Sequence, residues 1–203
     1  MKITLAIVTN RQVQAQTLES LLKLVSYTAH DIHVVVATRG YNIAENRNYC
    51  VIQAQKNESD YLLFVDDDMT FEEDTLERLL ARDVDIIGVN SYSRCLPLTS
   101  TVGLMDEKGE YKHPERYPEW EMKIPDDLFE AYFVGCGVCL IKMEVFEKLE
   151  KPWFQFIMGK DGQIIHGEDG YFCAEARKQG YKIYCDPKIE VGHIGTYNYQ
   201  KIS

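Results

Sequence analysis

The sequence lacks long apolar runs and has little positive charge. It contains no stretch of about 18 consecutive apolar residues, which excludes a helix that spans a bilayer. Its 22 lysines and arginines are outnumbered by 32 aspartates and glutamates, so the formal net charge is −10. Because the mean field of such a protein repels phosphate, we expect neither general nucleic-acid binding nor binding to anionic membranes. Any phosphate must then be bound by a local basic side chain or a metal ion.

Metal-site spacings are also missing from the six cysteines. Only Cys136 and Cys139 form a Cys-x-x-Cys pair, and a zinc site needs a second ligand pair at similar spacing. A redox pair would need a helix start after the first cysteine, whereas this pair lies in YFVGCGVCLIK, which is typical of a buried strand. We predict that the cysteines are reduced, buried and structural, which favours a cytoplasmic location.

Glycine is absent from VTNRQVQAQT, the segment that follows the first apolar stretch. A nucleotidyltransferase usually carries a glycine-rich basic loop at that place, so this class is disfavoured. The amino-terminal MKITLAIVTNRQ alternates like a strand and has no small-residue cleavage site, so we interpret it as structure rather than as a signal peptide. With 203 residues, 45% of them hydrophobic, the chain suits one globular domain with a substantial core.

Strands and helices alternate through the first 90 residues. Helical spacing of apolar residues predicts a helix over 12–26, a second between Ile43 and Ala54, and a short third between Leu76 and Leu80. Apolar runs predict strands at 3–8, 32–37, 61–65 and 84–89. This alternation predicts an α/β fold with a mostly parallel sheet and helices on both faces.

The regular alternation of predicted strands and helices ends after residue 90. Residues 91–131 hold four of the six prolines and show no sustained period, although GLMDEKGEY contains a plausible hairpin turn. Beyond them we predict a strand at 133–141, a short helix carrying Val145 to Leu149, and a helix over EDGYFCAEARKQ that ends at Gly180. Short strands at 182–184 and 189–193 complete the prediction.

Three consecutive aspartates, Asp66, Asp67 and Asp68, follow the third predicted strand. Ligands of open α/β sheets collect at the carboxyl ends of the strands, where these residues lie. Alternation along an extended chain would point Asp66 and Asp68 to one side and Asp67 to the other. Two carboxylates on one side suit Mg²⁺ or Mn²⁺. The alternative is that one aspartate caps the next helix and the others are solvated.

Together, several motifs resemble those of GT-A glycosyltransferases, particularly the family-2-like group. They are the Asp-x-Asp motif after a strand, the preceding helix with Glu45-Asn46-Arg47-Asn48, Gly167-Glu168-Asp169 at the start of a late helix, and His193 beyond the last strand. The resemblance covers nearly the whole chain. It implies a Rossmann-like GT-A domain over 1–203, with a nucleotide-binding half at 1–90 and an acceptor-binding and catalytic half at 91–203. It also implies a glycosyltransferase of the hexosyltransferase type that uses a nucleotide-diphosphate sugar.

The resemblance assigns metal and donor residues. Asp68 would bind Mn²⁺ or Mg²⁺, with His193 as a nitrogen ligand, and Asp66 would share the metal or contact the donor ribose. Arg47 would face the diphosphate or the base. The alternatives are a core or surface histidine for His193 and an exposed helix arginine for Arg47. The remaining donor-binding candidates are Asp67, Thr9, Asn10 and Arg11.

It also assigns residues to the acceptor side. Asp169 would be the general base that takes the proton of an acceptor hydroxyl, with Glu168 as the competing candidate. The alternative for either is the favourable placement of an acidic residue in a first helical turn. Gly135-Cys136-Gly137 would let the backbone approach the acceptor, or form a tight strand crossing. Trp120, Tyr117 or Tyr132 would offer a flat face to a carbohydrate or other hydroxyl acceptor, the alternative being that these aromatic residues belong to the core.

The implied mechanism is an inverting single displacement in which the metal stabilises charge on the leaving diphosphate. Family-2 enzymes usually place an acidic residue after the second strand to read uracil, but this chain has Ala37-Thr38-Arg39-Gly40 there. A uridine nucleotide is the default donor, and guanosine and deoxythymidine nucleotides stay open.

Two other functions compete with this one. Asp66 to Thr70 fits the Asp-x-Asp-x-Thr motif of haloacid-dehalogenase-like phosphatases, in which the first aspartate is a nucleophile. However, that motif normally ends the first strand of its fold, whereas two strand–helix units precede it here. A non-catalytic nucleotide-sugar-binding domain would need no Glu-Asp pair.

Overall fold

Sixteen helices and strands form the part of the chain that the structure, a computed structural model, describes. This part comprises residues 1–9, 12–38, 40–94, 98–111 and 124–195, so the predicted site residues Asn10, Arg11, Tyr117 and Trp120 lie outside it. None of its helices is both long enough and apolar enough to cross a bilayer. In chain order the elements are β1 (Lys2–Val8), α1 (Ala15–Tyr27), β2 (Asp31–Ala37), α2 (Ile43–Lys56), β3 (Tyr61–Asp66), β4 (Met69–Phe71), α3 (Thr75–Leu80), β5 (Ile86–Val89), β6 (Phe129–Ala131), β7 (Val138–Lys142), α4 (Met143–Lys148), β8 (Ile157–Met158), β9 (Ile164–His166), α5 (Glu168–Lys178), β10 (Ile183–Asp186) and β11 (Val191–His193).

Seven of the strands form the central sheet, in the order β2-β1-β3-β7-β5-β10-β6. Strand β1 pairs in parallel with β2 and β3, and β10 pairs in parallel with β5. Strand β7 is antiparallel to both of its neighbours, β3 and β5, and β6 is antiparallel to β10. Five strands therefore run in one direction, which confirms the predicted mostly parallel α/β sheet.

Helices cover both faces of this sheet, because alternate side chains of each strand enter different cores. On one face, Leu63 and Val65 of β3 belong to a core that α1 and α3 complete. On the other face, Leu62 and Phe64 belong to a core that α2, α4 and α5 complete. The helices thus cover the sheet on both sides, as the alternation of strands and helices predicts.

The predicted strand over 133–141 is shorter in the structure and begins at Val138. Phe133 forms an isolated bridge with Gly103 instead, and residues 136–137 form a turn before β7. The antiparallel direction of β7 brings this turn to the carboxyl end of β3, where the Asp66 amide donates a hydrogen bond to the Gly137 carbonyl at 2.9 Å. The segment 135–137 is therefore part of the site rather than of the sheet.

A second, two-stranded sheet brings the end of the described chain back to the three aspartates. After β3, residues 67–68 form a turn, and β4 then pairs antiparallel with β11. In this register His193 lies opposite Met69, and the Ile194 amide donates to the Asp68 carbonyl at 2.8 Å. Strand β4 was not predicted, because a three-residue strand directly after a turn has too little periodicity to be seen in the sequence.

Two local turn predictions are confirmed. In the predicted hairpin, Met105 bridges Tyr111 across a turn in which Gly109 has a positive φ of 79°. Gly180 likewise follows α5 with a φ of 87°.

Five of the six cysteines belong to the described residues, and all five are buried and free, as predicted. Burial raises the pKa of Cys50 and of Cys185 to about 12. Thiols of this kind behave as small apolar side chains rather than as reactive groups.

The packing of β5 against the segment before β7 yields a stability prediction. A Cβ added at Gly88 would lie 2.9 Å from Cβ and Cγ2 of Val134, both of them buried atoms close to the backbone. We expect Gly88→Ala to lower the free energy of unfolding by about 1–3 kcal/mol through overpacking, as measured by urea denaturation. The matched control is Gly170→Ala in helix α5, because no atom lies within 4 Å of a Cβ added at this position, the backbone of the helix itself left aside. Alanine there should raise the free energy of unfolding by about 0.5–1 kcal/mol. Equal stabilities of the two variants would contradict this packing.

Candidate active site

The three aspartates line one pocket at the carboxyl end of β3. Asp66 ends the strand, and Asp67 and Asp68 form the turn that follows. The prediction that Asp67 points away from the other two was wrong, because strand alternation stops at Asp66. The pocket has a volume of about 200 Å³ and is lined by Val8, Thr9, Ile43, Asp66, Asp67, Asp68, Arg94 and His193.

Asp68 carries a carboxylate whose side chain is only 9% exposed. Arg94 donates a hydrogen bond to its Oδ2 at 2.6 Å, and His193 Nε2 lies 3.3 Å from its Oδ1. The other ring nitrogen of His193, Nδ1, lies 2.7 Å from the Tyr92 carbonyl oxygen, which can only accept a hydrogen bond. Nδ1 is therefore the hydrogen-bond donor in this contact, and Nε2 is the ring nitrogen that faces Asp68.

These two residues fit a divalent cation. A carboxylate oxygen and an imidazole nitrogen, the latter oriented by a carbonyl acceptor behind the ring, are a recurring ligand combination. Across the described ranges, no group of three or more histidine, cysteine, aspartate or glutamate side chains is gathered closely enough to hold a metal. The remaining positions would fall to the substrate phosphates and water, which is usual for Mg²⁺ sites.

The carboxylate of Asp66 is directed to a different partner. It accepts hydrogen bonds from Arg47 Nη2 at 3.0 Å to Oδ1 and 3.4 Å to Oδ2. Burial raises the pKa of Asp66 to about 6, although the Arg47 charge opposes this rise. Metal ligation by Asp66, which the sequence predicts, has no support from this arrangement, because its carboxylate belongs to Arg47.

Arg47 is itself buried, with a side chain that is 2% exposed. Besides Asp66, its guanidinium donates to Glu168 Oε1 at 3.2 Å and to the Cys136 carbonyl at 3.3 Å, and it lies over the ring of Phe64. The helical spacing of the apolar residues around Arg47 predicts a side chain that points into the protein, and the structure confirms this. Its hydrogen-bond partners are thus groups of the protein, one of which, Asp66, also lines the pocket, and the predicted contact with the donor diphosphate stays a prediction.

Two asparagines that flank Arg47 are positioning residues that we did not single out in the sequence. Asn46 accepts a hydrogen bond from the Gly40 amide at 2.6 Å and donates to the Thr9 carbonyl at 3.4 Å, so it joins the loops after β2 and β1. Asn48 donates to the Phe154 carbonyl and accepts from the amides of Trp153 and Phe154. Helical spacing from Ile43 gave a signal for Asn46, whose side chain lies on the buried face of α2.

The two acidic residues that begin α5 have different environments. Glu168 is buried and paired with Arg47, so its carboxylate is engaged in the interior. Asp169 Oδ1 accepts a hydrogen bond from the Gly170 amide at 2.8 Å, and Asp169 lines a second cavity. Burial raises the pKa of Asp169, and the neighbouring Glu168 charge raises it further. Of the two candidates for general base, Asp169 is therefore the better placed.

The second cavity has a volume of about 650 Å³ and a partly aromatic wall. The rings of Tyr111 and Tyr132 are 5.3 Å apart with an interplanar angle of 30°. Tyr132 is among the aromatic residues predicted to offer a flat face to a sugar, whereas Tyr111 and Phe133 belong to no motif that would indicate contact with a ligand. The lining residues are Glu110, Tyr111, Tyr132, Phe133, Ile165, His166, Gly167, Asp169, Gly170 and Ala174.

The glycines of segment 135–137 lie between the two carboxylate groups. A Cβ at Gly135 would lie 3.6 Å from Asp169 Oδ2, and one at Gly137 would lie 3.6 Å from Asp66 Oδ2. The turn at 136–137 directs the side chain of Cys136 into the core, and its carbonyl accepts a hydrogen bond from Arg47. The predicted approach of this backbone segment to the acceptor stays a prediction.

Comparison with known proteins assigns the family. The profile of glycosyl transferase family 2 matches residues 2–178 of the chain. The chain belongs to glycosyl transferase family 2. No curated protein sequence matches it.

Three solved structures share the fold of this family-2 chain. A197 from STIV is 19% identical, with a TM-score of 0.63 over 97% of this chain and 87% of A197. GalNAc-T7, crystallised with UDP, GalNAc and Mn²⁺, is 14% identical, with a TM-score of 0.53 over 97% of this chain and 43% of that one. TarS 1–349 from S. aureus is 15% identical, with a TM-score of 0.52 over 95% of this chain and 60% of that one. At these identities the likeness establishes the GT-A fold and nothing finer.

The double pairing of Arg47 leads to a pH-dependent prediction. The pKa of Asp66, about 6 in the folded protein, exceeds its ordinary value of 3.8. The folded state therefore holds this proton more readily than the unfolded state, and the contribution of Asp66 to stability falls as the pH rises through about 6. Arg47→Met leaves the buried carboxylate of Glu168 and the partly buried carboxylate of Asp66 without a counter-charge, so we expect a loss of about 3–5 kcal/mol in the free energy of unfolding at pH 7. At pH 5 the loss should be smaller, because protonation neutralises Asp66.

Urea denaturation at the two pH values measures this difference. Arg78→Met is the control, since Arg78 is partly exposed and pairs with Asp74 across 4.0 Å; its loss should stay below about 1 kcal/mol at both pH values. A loss for Arg47→Met that is equal at pH 7 and pH 5 would contradict the proposed role of its charge.

Proposed function

We propose that this family-2 protein transfers a sugar from a nucleoside-diphosphate donor to an acceptor hydroxyl, with inversion at the anomeric carbon. The observation that carries the proposal is the separation of two acidic groups by the buried Arg47 network. Asp68, beside His193, faces one cavity, and Asp169 faces the other. An inverting displacement needs this division, because the leaving group and the general base act on opposite sides of the anomeric carbon.

The donor side is the pocket at the three aspartates. Asp68 and His193 would hold Mn²⁺ or Mg²⁺, which supplies charge stabilisation for a leaving diphosphate. Thr9 and Asp67 also line this pocket and would contact the nucleotide, with Asn10 and Arg11 as the next residues along the chain. The GalNAc-T7 structure with UDP and Mn²⁺ supports a uridine donor and manganese here.

The acceptor side is the cavity at Asp169. The acceptor hydroxyl would donate its proton to Asp169 as its oxygen attacks, and the raised pKa of Asp169 brings this carboxylate closer to the basicity that proton abstraction requires. The aromatic wall with Tyr132 suits the apolar face of a sugar ring. Gly135 keeps the space in front of Asp169 clear, because any larger residue would place a side chain there.

The phosphatase alternative has less support. A nucleophilic Asp66 would have to attack phosphorus with an oxygen free of other partners, but both of its oxygens accept hydrogen bonds from Arg47. A purely nucleotide-sugar-binding domain would not need a partly buried carboxylate of raised pKa, such as that of Asp169, in a second cavity. The division into donor residues 1–90 and acceptor residues 91–203 also stays a proposal; His193, which lines the donor pocket, is an exception to it.

A cytoplasmic location is supported by the five free, buried cysteines.

Asparagine at position 169 tests the proposed base. We expect Asp169→Asn to bind donor as the wild type does and to lose about 10²–10⁴-fold in turnover, the contribution of a general base. Nucleoside-diphosphate release would be measured over a panel of UDP-, GDP- and dTDP-sugars with Mn²⁺, and donor binding would be measured by thermal shift. Because Asp169 must be deprotonated to act, wild-type turnover should fall as the pH drops through its raised pKa.

The matched control is Asp127→Asn, which removes an exposed carboxylate that pairs with Lys188 and should leave turnover unchanged. Unchanged turnover in Asp169→Asn, with normal release by the wild type, would remove Asp169 from the mechanism. No sugar-nucleotide turnover or binding by the wild type over the whole panel would argue against the transferase function itself.

A further inference from the structure

We propose that Arg94 exchanges partners during donor binding: it neutralises Asp68 while the cation is away, and it contacts the donor diphosphate once the cation has bound. The inference rests on the proposed function and adds a residue that neither the sequence motifs nor the family resemblance indicated. The observation behind it is an ion pair in which Arg94 Nη1 lies 2.6 Å from Asp68 Oδ2.

The two members of this ion pair differ in exposure. The Asp68 side chain is 9% exposed, whereas that of Arg94 is 55% exposed. A carboxylate this deep requires a counter-charge, and His193 supplies one only when it is protonated. Arg94 therefore does for Asp68 what a bound cation would do. Because the guanidinium is largely in solvent, moving it away costs little.

The same position brings Arg94 to the proposed diphosphate. Arg94 lines the pocket together with Thr9 and the three aspartates. Among the described residues that line it, Arg94 alone has a permanent positive charge, because Arg47 is buried behind Asp66. In a pocket with three carboxylates and a chain with a net charge of −10, a diphosphate needs a basic partner besides the cation. The fork of a guanidinium matches phosphate oxygens in a bidentate manner.

The exchange predicts opposite changes in two affinities when Arg94 is neutralised. In Arg94→Gln, Mn²⁺ alone should bind about two- to fivefold more tightly, because a competing ion pair of the exposed type is gone. Pyrophosphate in saturating Mn²⁺ should bind at least about tenfold more weakly, because a charge-assisted hydrogen bond to phosphate is lost. Isothermal calorimetry on the full chain measures both, and pyrophosphate makes the result independent of the nucleotide base.

Two further variants separate charge from geometry. Arg94→Lys keeps the positive charge but lacks the planar fork, so its Mn²⁺ affinity should stay near that of the wild type while its pyrophosphate affinity is intermediate. Arg78→Gln removes a charge from a side chain that does not line this pocket and that donates to the Lys188 carbonyl, and it should change neither affinity.

The wild-type titrations separate this inference from the function beneath it. If the wild type binds neither Mn²⁺ nor Mn²⁺ with pyrophosphate, the proposed function fails. Suppose that the wild type binds Mn²⁺ and also binds pyrophosphate in the presence of Mn²⁺. The exchange is then overturned if Arg94→Gln has the wild-type affinity for both ligands, or a lower affinity for both. A gain for Mn²⁺ without a loss for pyrophosphate overturns the phosphate contact. Pyrophosphate binding by the wild type that is equally tight without Mn²⁺ overturns the exchange with a cation.

Discussion

The buried guanidinium of Arg47 is the interaction on which the site depends. It binds the end of β3 through Asp66, the start of α5 through Glu168 and the turn before β7 through the Cys136 carbonyl. These three segments come from separate parts of the chain, and Glu168 lies 121 residues from Arg47. Without an internal positive charge, the buried carboxylate of Glu168 and the partly buried one of Asp66 could not lie side by side as ions. Helix α2 therefore fixes the positions of the segments that carry the two cavities relative to one another.

This network also explains how four acidic side chains can lie so close together. Asp66 and Glu168 share Arg47, Asp68 lies between Arg94 and His193, and Asp169 accepts a backbone N–H at the start of α5. Two of the four are held by an interior charge and serve the scaffold. The other two border cavities, where a ligand can replace or join their partners. The chemical roles of the aspartates thus follow from their partners rather than from their order in the sequence.

Much of the fold was readable from the sequence, because helical spacing and apolar strands are local signals. The direction of β7 was not, since an apolar strand has the same pattern whether it runs parallel or antiparallel, and its place between β3 and β5 depends on distant pairing. Within the site, the motifs identified Asp68, Asp169 and His193, and the structure brings them to cavities. The sequence did not indicate that the carboxylate of Asp66 pairs with Arg47, because this partner is a helix residue that only the fold brings near. Arg94 belongs to none of the sequence motifs, so only the structure indicates that it lines the pocket.

The central claim is that Asp68 binds the cation, whereas Asp66 stabilises the fold through its ion pair with Arg47, although only one residue separates the two. A crystal structure of the protein with Mn²⁺ and uridine diphosphate tests it most directly. The account predicts an ion bound to Asp68 and His193, with the hydrogen bonds from Arg47 to Asp66 intact. An ion ligated by Asp66, with Arg47 displaced from it, would contradict the account.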